Sequence, residues 1–140
     1  MPALFHLEVH TPYRLFFSGE VESISLTLMD GEKGVLANHS PFTAPVVASL
    51  LRVKDDQGLD RTAFITDGII EVTEIKTMLL VDAAEWPEEI DVERALTVKQ
   101  KAEENIKNAI LTFENDSAKG KLRRAELRLQ VAGMKQETVF

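Results

Sequence analysis

Three histidines and two pairs of adjacent acids in predicted turns are residues whose side chains could carry acid–base chemistry or bind a metal ion. His6 and His10 lie four apart in a segment that alternates apolar and polar residues, which is typical of a β-strand. On a strand that rises about 3.3 Å per residue they would share a face but lie about 13 Å apart, too far to bind one metal ion. We therefore expect surface or packing roles for them, and solvated carboxylates for Asp55–Asp56 and Glu88–Glu89 in predicted turns.

The sequence lacks the spacings that identify common catalytic centres. It contains no cysteine, no His-Glu-x-x-His zinc motif, no Gly-x-Ser-x-Gly nucleophile motif and no Gly-x-x-x-x-Gly-Lys-Ser/Thr phosphate loop. No set of residues can be assigned the roles of nucleophile, base and orienting group. We expect a protein that is not an enzyme, with no catalytic residues, no metal site and no obligatory cofactor.

Charge is distributed unevenly along the 140 residues, whose net charge is −7. Residues 1–84 hold 12 acids and 6 bases, whereas residues 117–135 hold six bases and the single acid Glu126. This basic segment favours an anionic partner, because arginine pairs well with carboxylate and phosphate groups. The acidic remainder argues against nucleic-acid binding, which usually needs a basic surface over the whole domain. A solvated basic helix face without a partner is the alternative.

Residues 1–84 are predicted to form an all-β sandwich or barrel of short antiparallel strands. Apolar and polar residues alternate at Phe5–Val9 and Ser23–Leu28, and further short apolar runs follow. Turn-forming residues separate these runs at short intervals, among them Ser18–Gly19. Pro45 predicts an edge strand or a bend, since proline cannot donate a ladder hydrogen bond. Many strands without helical patterns between them indicate antiparallel pairing.

Residues 88–135 are predicted to form an α-helical antiparallel hairpin, followed by a tail at 136–140. Asp91 is placed as the N-cap of the first helix, shortly after a proline that favours a domain boundary. Cap-type residues at 113–117 predict the break between the helices, and Gly133 predicts the end of the second helix. Mostly small apolar residues recur at steps of three and four, at Ala95, Val98, Ala102, Ile106 and Ala109 in the first helix and at Ala118, Leu122, Ala125, Leu129 and Ala132 in the second.

The apolar stripes of this hairpin are narrow and consist mostly of alanine. Alanine lets two helices approach closely but buries little area, and burial stabilises by roughly 25 cal/mol per Å². Isolated helices of this length are only marginally stable in water. We therefore expect a hairpin that depends on another surface and that can detach or rearrange.

The sequence predicts neither a membrane-spanning helix nor a secretory signal. No apolar run approaches the roughly 18 residues that a transmembrane helix needs. The segment Met1–His6 has neither a basic region nor a long apolar run. Together with the absence of cysteine, these features fit a reducing cytoplasm.

Several segments resemble, in order and at matching spacing, motifs of the epsilon subunit family of bacterial F-type ATP synthases. Asp30–Pro41 resembles the Gly-Glu-x-Gly-Ile-x-x-x-His-x-Pro signature of that family. Ile90–Ala95 resembles the Ile/Leu-Asp-x-x-Arg-Ala motif that opens its first helix. The ordered set is highly specific and covers nearly the whole chain. The other similar segments are Phe17–Val21, Asp67–Val72, Leu80–Ala84 and Arg128–Ala132.

The resemblance implies a non-catalytic rotor subunit in the central stalk of the synthase. The sandwich would couple the gamma subunit to the ring of c subunits, with Glu32 towards the ring and His39 towards gamma. The hairpin would inhibit ATP hydrolysis by extending into the catalytic head, where the bases of its second helix would face the catalytic beta subunits. The bases concerned are Arg123, Arg124 and Arg128. The implied location is the cytoplasmic face of the bacterial inner membrane, with membrane contact only through the complex.

Some bacterial members of this family bind ATP as a regulatory ligand, which stabilises the folded hairpin. Carried over residue by residue, their motif implies Glu85, Asp91, Arg94, Arg124 and Arg128. The last two arginines are four apart on one helix face, so both could reach the same phosphates. Two basic positions of the motif are altered, one to Lys101 and the other to Ser117. The alternative is that the acid and the arginine of the first helix serve only as cap and ion pair.

Two other classes of function remain open from the sequence. One is a stand-alone binding module, a β-sandwich with a coiled-coil arm that serves another assembly and would purify without gamma. The other is an enzyme, such as a jelly roll with acidic catalysis. An enzyme of that kind would need two carboxylates that converge in a concave pocket, and the sequence offers no such pair.

Overall fold

Two structural units divide the chain, Met1–Glu85 and Trp86–Phe140, and a computed structural model describes residues 2–109 and 112–137. The first unit is built from β-strands that are separated by tight turns. Within its described residues, 2–85, there are nine strands: β1 (Phe5–His10), β2 (Leu15–Leu28), β3 (Gly31–Leu36), β4 (Phe42–Val46), β5 (Ser49–Asp55), β6 (Asp60–Ile65), β7 (Gly68–Val72), β8 (Thr77–Val81) and β9 (Ala84–Glu85).

Strand β2 joins the two layers of the sandwich because it pairs with four other strands. It pairs with β1 along its N-terminal half, and with β3 and β5 along its C-terminal half. Leu28 at its end pairs with Val46 of β4. From β1 the pairing continues through β8 and β7 to β4, so the path returns to β2 and the sheet closes on itself. The predicted β-sandwich is therefore confirmed.

Two features of this sheet differ from the sequence prediction. Ser18–Gly19, predicted as a turn, lies inside β2, because Phe16 and Val21 on either side are buried and β1 pairs along the whole segment. Burial and cross-strand pairing thus outweigh a local turn preference. Strand β1 also pairs with β8 in parallel, from Leu7↔Thr77 onward. The chain between them is long, so no tight turn dictates antiparallel pairing.

The core of the sandwich consists of large apolar side chains that come from most of its strands. Alternate residues of β1 show how the strands sort their side chains, since Leu7 and Val9 are fully buried. The polar residues of β1 point to the opposite face of the sheet. The largest fully buried side chains of this unit are Phe64, Leu7, Ile24, Leu51, Ile65, Ile70 and Leu79.

The second unit is the predicted helical hairpin, which is confirmed. A single 3-10 turn, Pro87–Glu89, precedes helices α1 (Val92–Asn108) and α2 (Thr112–Glu137). Asp91 is the N-cap of α1, where its Oδ1 accepts a hydrogen bond from the Arg94 backbone N–H at 3.0 Å. The two helices pack against each other. Four alanines of the two predicted apolar stripes are buried, namely Ala95 and Ala102 in α1 and Ala118 and Ala125 in α2.

Helix α2 begins earlier and ends later than the sequence predicts. Residues 113–117, predicted as the break, lie within its first two turns, where polar and acidic residues are well tolerated because the helix N-terminus is electropositive. Gly133 lies inside the helix without a positive φ, so it does not act as a C-cap. The helix continues through Glu137, two residues into the segment 136–140 predicted as a tail. Residues 138–140 lie outside those described.

Charged residues are spaced along both helices of the hairpin. Neither helix, over the residues described, offers a window long and apolar enough to cross a membrane.

Candidate functional site

Glu32 and His39, which the sequence places seven residues apart, line one cleft of about 490 Å³ at the β2–β3 end of the sandwich. Glu32 lies in β3 and is exposed, whereas His39 follows β3 and is half-buried. Phe42 and Lys33 line the same cleft, and the Lys33 ammonium lies 5.4 Å from the centre of the Phe42 ring. The fold thus presents an acid, a base and an aromatic ring together on an accessible surface.

The backbone of this loop depends on two residues with positive φ. Gly31 is the first residue of β3 and has φ 130°, a backbone conformation that would be strained in a residue with a side chain. Asn38, in the turn that follows β3, has φ 65°. The His39 backbone N–H then donates to the Leu36 carbonyl at 3.3 Å. These constraints explain why glycine stands at position 31 and asparagine at position 38 of the Asp30–Pro41 segment. Gly34 has no positive φ, so its backbone conformation does not require a glycine.

The His39 ring is fixed on both sides. Its Nδ1 donates a hydrogen bond to the Ser40 carbonyl at 2.7 Å, and its centroid lies 5.1 Å from that of Phe42 at an interplanar angle of 59°. Fixed aromatic rings lose little conformational freedom when a partner binds. Beside them, Met29 is 75% exposed at the end of β2. Flexible methionine side chains are common on protein-binding surfaces.

A second cluster, on the outer face of β1, is one that sequence reasoning missed. Glu8 accepts hydrogen bonds from His10 Nε2 at 2.8 Å, His6 Nε2 at 3.2 Å and Lys76 Nζ at 3.3 Å. His6 also binds Glu20 of β2 through Nδ1 at 2.9 Å. The hydrogen bond from His10, aided by Lys76 and His6, lowers the pKa of the Glu8 carboxyl from 4.5 to about 2 against the opposing effect of burial. Across the described residues, no group of three acidic, histidine or cysteine side chains is arranged to hold a metal ion.

The three arginines predicted for the basic helix do not all line the same cleft. Arg124 and Arg128 line a cleft of about 310 Å³ between α1 and α2. Arg123 instead lines a separate cleft with Lys119 and Glu126. The helix therefore has two distinct basic surfaces, one between the helices and one on α2 itself.

Only two of the five residues that the family motif implies for ATP binding line the cleft between α1 and α2. Besides Arg124 and Arg128, the cleft between the helices is lined by Val98, Lys101, Ala102, Asn105 and Lys121. Asp91 and Arg94 are not among its lining residues, and their shared hydrogen bond is the helix cap. Glu85 ends β9 in the first unit. Ser117 lines a different cleft, which it shares with Glu114.

Comparison with known proteins identifies the family. The model of the ATP synthase delta/epsilon chain β-sandwich domain matches residues 4–87, and that of the delta/epsilon chain long α-helix domain matches residues 88–133. The chain is 44% identical over 138 residues to the ATP synthase epsilon chain of Caldanaerobacter subterraneus subsp. tengcongensis, covering 98% of this chain and 99% of that relative. It is 42% identical over 137 residues to the epsilon chain of Caldicellulosiruptor bescii, with the same two coverages.

Solved structures show the same fold at lower sequence identity. A chain of the Euglena gracilis mitochondrial ATP synthase, from a structure of its OSCP, F1 and c-ring, matches with a TM-score of 0.73 and 19% identity. The match covers 100% of this chain and 84% of that one. Because family models match both structural units and epsilon chains of bacteria align over nearly the full length, the chain belongs to the ATP synthase delta/epsilon chain family.

Proposed function

We propose that this chain is a non-catalytic central-stalk subunit of a bacterial F-type ATP synthase, which couples gamma to the c-ring and restrains ATP hydrolysis through its hairpin. The observation that carries the proposal is 44% identity to an ATP synthase epsilon chain across both structural units. A stand-alone binding module is not favoured, since the similar proteins named above are subunits of one complex. The subunit would sit at the cytoplasmic face of the inner membrane and touch the membrane only through the complex.

The sandwich would make the rotor contacts through the cleft that holds Glu32 and His39. Glu32 is exposed and charged, which suits a polar contact with the loops of the c-ring. The fixed ring of His39 beside Phe42 suits a packed contact with gamma. The shared cleft supports a single joint at which gamma, this subunit and the ring meet.

Reconstitution with gamma and the c-ring tests this joint. We expect His39→Ala to weaken gamma binding and Glu32→Gln to weaken the ring contact, each by about 1 to 2 kcal/mol. Glu71→Gln is the matched control, because Glu71 is an exposed acid of β7 that does not line the cleft. Pull-down of gamma by His39→Ala equal to that by the wild-type protein would remove His39 from the interface, and pull-down of the c-ring by Glu32→Gln equal to that by the wild-type protein would remove Glu32. Failure of the wild-type protein to bind gamma at all would overturn the proposed function.

The hairpin would inhibit hydrolysis through the bases of α2, by binding acidic segments of the catalytic beta subunits. Arg123 is exposed in α2, and Arg124 and Arg128 are half-buried. Arginine binds carboxylates with two parallel hydrogen bonds, so these side chains suit an acidic partner. Alanine packing between the helices buries little area, which keeps the cost of rearranging the hairpin small.

Steady-state ATP hydrolysis by the assembled enzyme tests the inhibitory role. We expect the triple change Arg123→Gln, Arg124→Gln and Arg128→Gln to raise hydrolysis about two- to fivefold, because each lost contact is partly exposed to solvent. A control variant removes the same charge outside α2, through Lys54→Gln, Lys99→Gln and Lys107→Gln. Equal hydrolysis by the two triple variants would show that only net charge matters.

A second function, regulatory ATP binding, is favoured by the cleft between the helices. Arg124 and Arg128 line it from α2, and Lys101 lines it from α1. The family motif would add Asp91 and Arg94 of the hairpin to the nucleotide site. Moving a hairpin from 1% to 99% folded needs about 5.5 kcal/mol of differential binding. Calorimetric titration of the purified protein with millimolar ATP tests the idea, and the absence of any heat or spectral change would exclude it.

A further inference from the structure

We infer that Asp30, in the turn between β2 and β3, is a modification site that converts spontaneously to isoaspartate through a cyclic imide with Gly31. The inference stands apart from the proposed function, because it concerns the covalent chemistry of one turn. The observation that carries it is a contrast within the chain. Two Asp-Gly sequences, Asp30–Gly31 and Asp67–Gly68, lie in very different surroundings.

An aspartate followed by glycine is the pair of residues in which this reaction is least hindered. The backbone nitrogen of the glycine attacks Cγ of the protonated side chain and a C–N bond forms. The C–OH bond breaks, and the hydroxyl leaves with the amide proton as water. Hydrolysis of the five-membered ring at one carbonyl restores aspartate, and hydrolysis at the other gives isoaspartate, whose main chain runs through Cβ. Glycine favours ring closure because no Cβ crowds its nitrogen.

Asp30 and Gly31 lie at the tip of a hairpin, where the backbone can reach the ring geometry at small cost. Both residues are exposed. Among the described residues, none forms a hydrogen bond or an ion pair with the Asp30 side chain. Gly31 forms the last pair of the β2–β3 ladder, with Leu28, so only this terminal pair has to open. Its φ of 130° also requires a glycine, so the turn keeps the reactive pair of residues.

Asp67 and Gly68 have the same chemistry, but both residues are held in place. Asp67 is exposed too, so exposure alone does not separate the two sites. Its Oδ1, however, accepts a hydrogen bond from the Ala48 backbone N–H at 2.7 Å. Gly68 pairs on one side with Val46 of β4 and on the other side with Val81 of β8. Ring closure here therefore requires the loss of a side-chain hydrogen bond and the opening of strand pairs on both sides.

Isoaspartate in the β2–β3 turn changes the backbone next to Glu32. The rearranged residue adds one methylene group to the main chain between the two strands. Because the length of a tight turn fixes the register of a hairpin, the added group disturbs the pairs closest to the turn, Leu28↔Gly31 and Thr27↔Glu32. If Glu32 contacts the c-ring, which rests on the proposed function, the modification weakens that contact.

Incubation of the full-length protein at neutral pH and physiological temperature tests the inference. Peptide mapping with electron-transfer fragmentation distinguishes isoaspartate from aspartate at each site, and methyl transfer from S-adenosylmethionine by an isoaspartyl methyltransferase measures the total. We expect isoaspartate to form at Asp30 at least about tenfold faster than at Asp67, because the second site has to open first. In urea, where neither site is held, the two rates should be similar.

Two matched variants assign the signal to one residue. Asp30→Glu keeps the charge but would have to close a six-membered ring, which forms far more slowly, so it should remove most of the isoaspartate. Asp67→Glu makes the same change at the other Asp-Gly sequence and should leave the total unchanged. Circular dichroism before incubation establishes that both variants are folded.

Three results would overturn the inference. The first is equal rates at the two sites in the folded protein, and the second is a signal that survives Asp30→Glu. The third is a folded protein without isoaspartate at Asp30 when the sample in urea has accumulated it.

Pull-down of the c-ring before and after incubation tests the consequence for Glu32. The incubated wild-type protein should bind less ring than the fresh protein, whereas incubation should not change binding by Asp30→Glu. Equal binding by fresh and incubated wild-type protein would overturn this consequence. Fresh wild-type protein that binds no ring would count against the proposed function, and isoaspartate formation at Asp30 would stand.

Discussion

The two structural units are held together by different kinds of side chain. In the sandwich the fully buried residues are large, with Phe64, Leu7 and Ile24 among them. In the hairpin most of the buried side chains are alanines, and Val131 is the largest that is fully buried among the described residues. Each buried alanine removes far less apolar area from water than a phenylalanine or leucine. The sandwich therefore owes its stability to side-chain burial, and the hairpin owes more to helix propensity and close backbone approach.

This difference suits the two roles in the proposed function, in which the sandwich makes the rotor contacts and the hairpin makes the inhibitory contact. A rotor joint must transmit torque without deforming, which suits a close-packed core closed on itself through β2. An inhibitory arm must change its contacts at small cost, which suits a seam of small side chains. Changes that perturb packing should thus affect the sandwich most, and changes in helix propensity should affect the hairpin most.

The largest expected effect is that of Phe64→Ala. Phe64 is fully buried, so removing its ring should lower the free energy of unfolding of the sandwich by about 3–5 kcal/mol. The counterpart in the hairpin, Ala125→Gly, should cost only about 1 kcal/mol. Amide hydrogen exchange measures both units in one sample. Equal losses of protection in the two units would contradict the comparison.

Gly68→Ala tests the backbone packing of the sandwich. A Cβ at this position would lie 1.9 Å from the Leu80 carbonyl oxygen and 2.8 Å from the Val81 side chain, so β7 and β8 would have to separate. We expect a loss of about 1–3 kcal/mol or more, seen as a lower midpoint in thermal unfolding. Gly133→Ala is the control, because no atom lies within 4 Å of the added Cβ and the higher helix propensity of alanine in α2 should not lower the midpoint. A neutral Gly68→Ala would mean that these strands are not tightly paired.

Gly120→Ala should stabilise the hairpin by about 0.5–1 kcal/mol. Gly120 lies within α2, where alanine has the higher helix propensity. Its new Cβ would be in ordinary contact, at 3.4 Å, with the Arg124 guanidinium. Hydrogen exchange of α2 amides should slow while that of the sandwich stays unchanged. Faster exchange in α2 would show that Arg124 cannot make room.

The smallest expected effect concerns acid stability and Glu8, because solvent screens its partly exposed ion pairs. The pKa of this carboxyl falls from 4.5 to about 2 on folding, so its contribution is fully present above pH 4.5 and is lost as the pH falls towards 2. Glu8→Gln should flatten the stability–pH curve in that window, as measured by urea unfolding at several pH values. Glu71→Gln, at an exposed site in β7, should leave the slope unchanged.

Much of the fold could be predicted because local signals agree with burial. Asp91 caps α1 as its position before a periodic segment suggests, and Pro45 indicates a strand with a largely unpaired edge, since β4 meets β2 only at Val46. The failures at Ser18–Gly19 and Gly133 share a cause. Both predictions rest on local turn and helix-end preferences. The pairing of β1 with β2 overrides the preference at Ser18–Gly19, and the continuation of α2 overrides it at Gly133.

The candidate sites were harder to predict because they depend on contacts between elements. The period of two in β1 puts His6, Glu8 and His10 on one face, but their partners Glu20 and Lys76 follow from the strand register. Likewise, the helical spacing groups Arg124 with Arg128, but the facing of α1 and α2 is needed to add Lys101 and Lys121. Sequence periodicity predicts which residues share one face of a strand or helix, and the register between elements decides which of these faces come into contact.

The parallel pairing of β1 with β8 has a consequence for the order of folding. Strand β1 leaves the ribosome before β8 and finds this neighbour only after residues 77–81 have followed. Contacts of such long sequence separation slow folding, whereas the helices of the hairpin are adjacent in sequence and can zip together quickly. We expect the sandwich to complete its structure late in translation, and nascent chains that end before residue 77 to leave the edge of β1 that pairs with β8 open to proteases and chaperones.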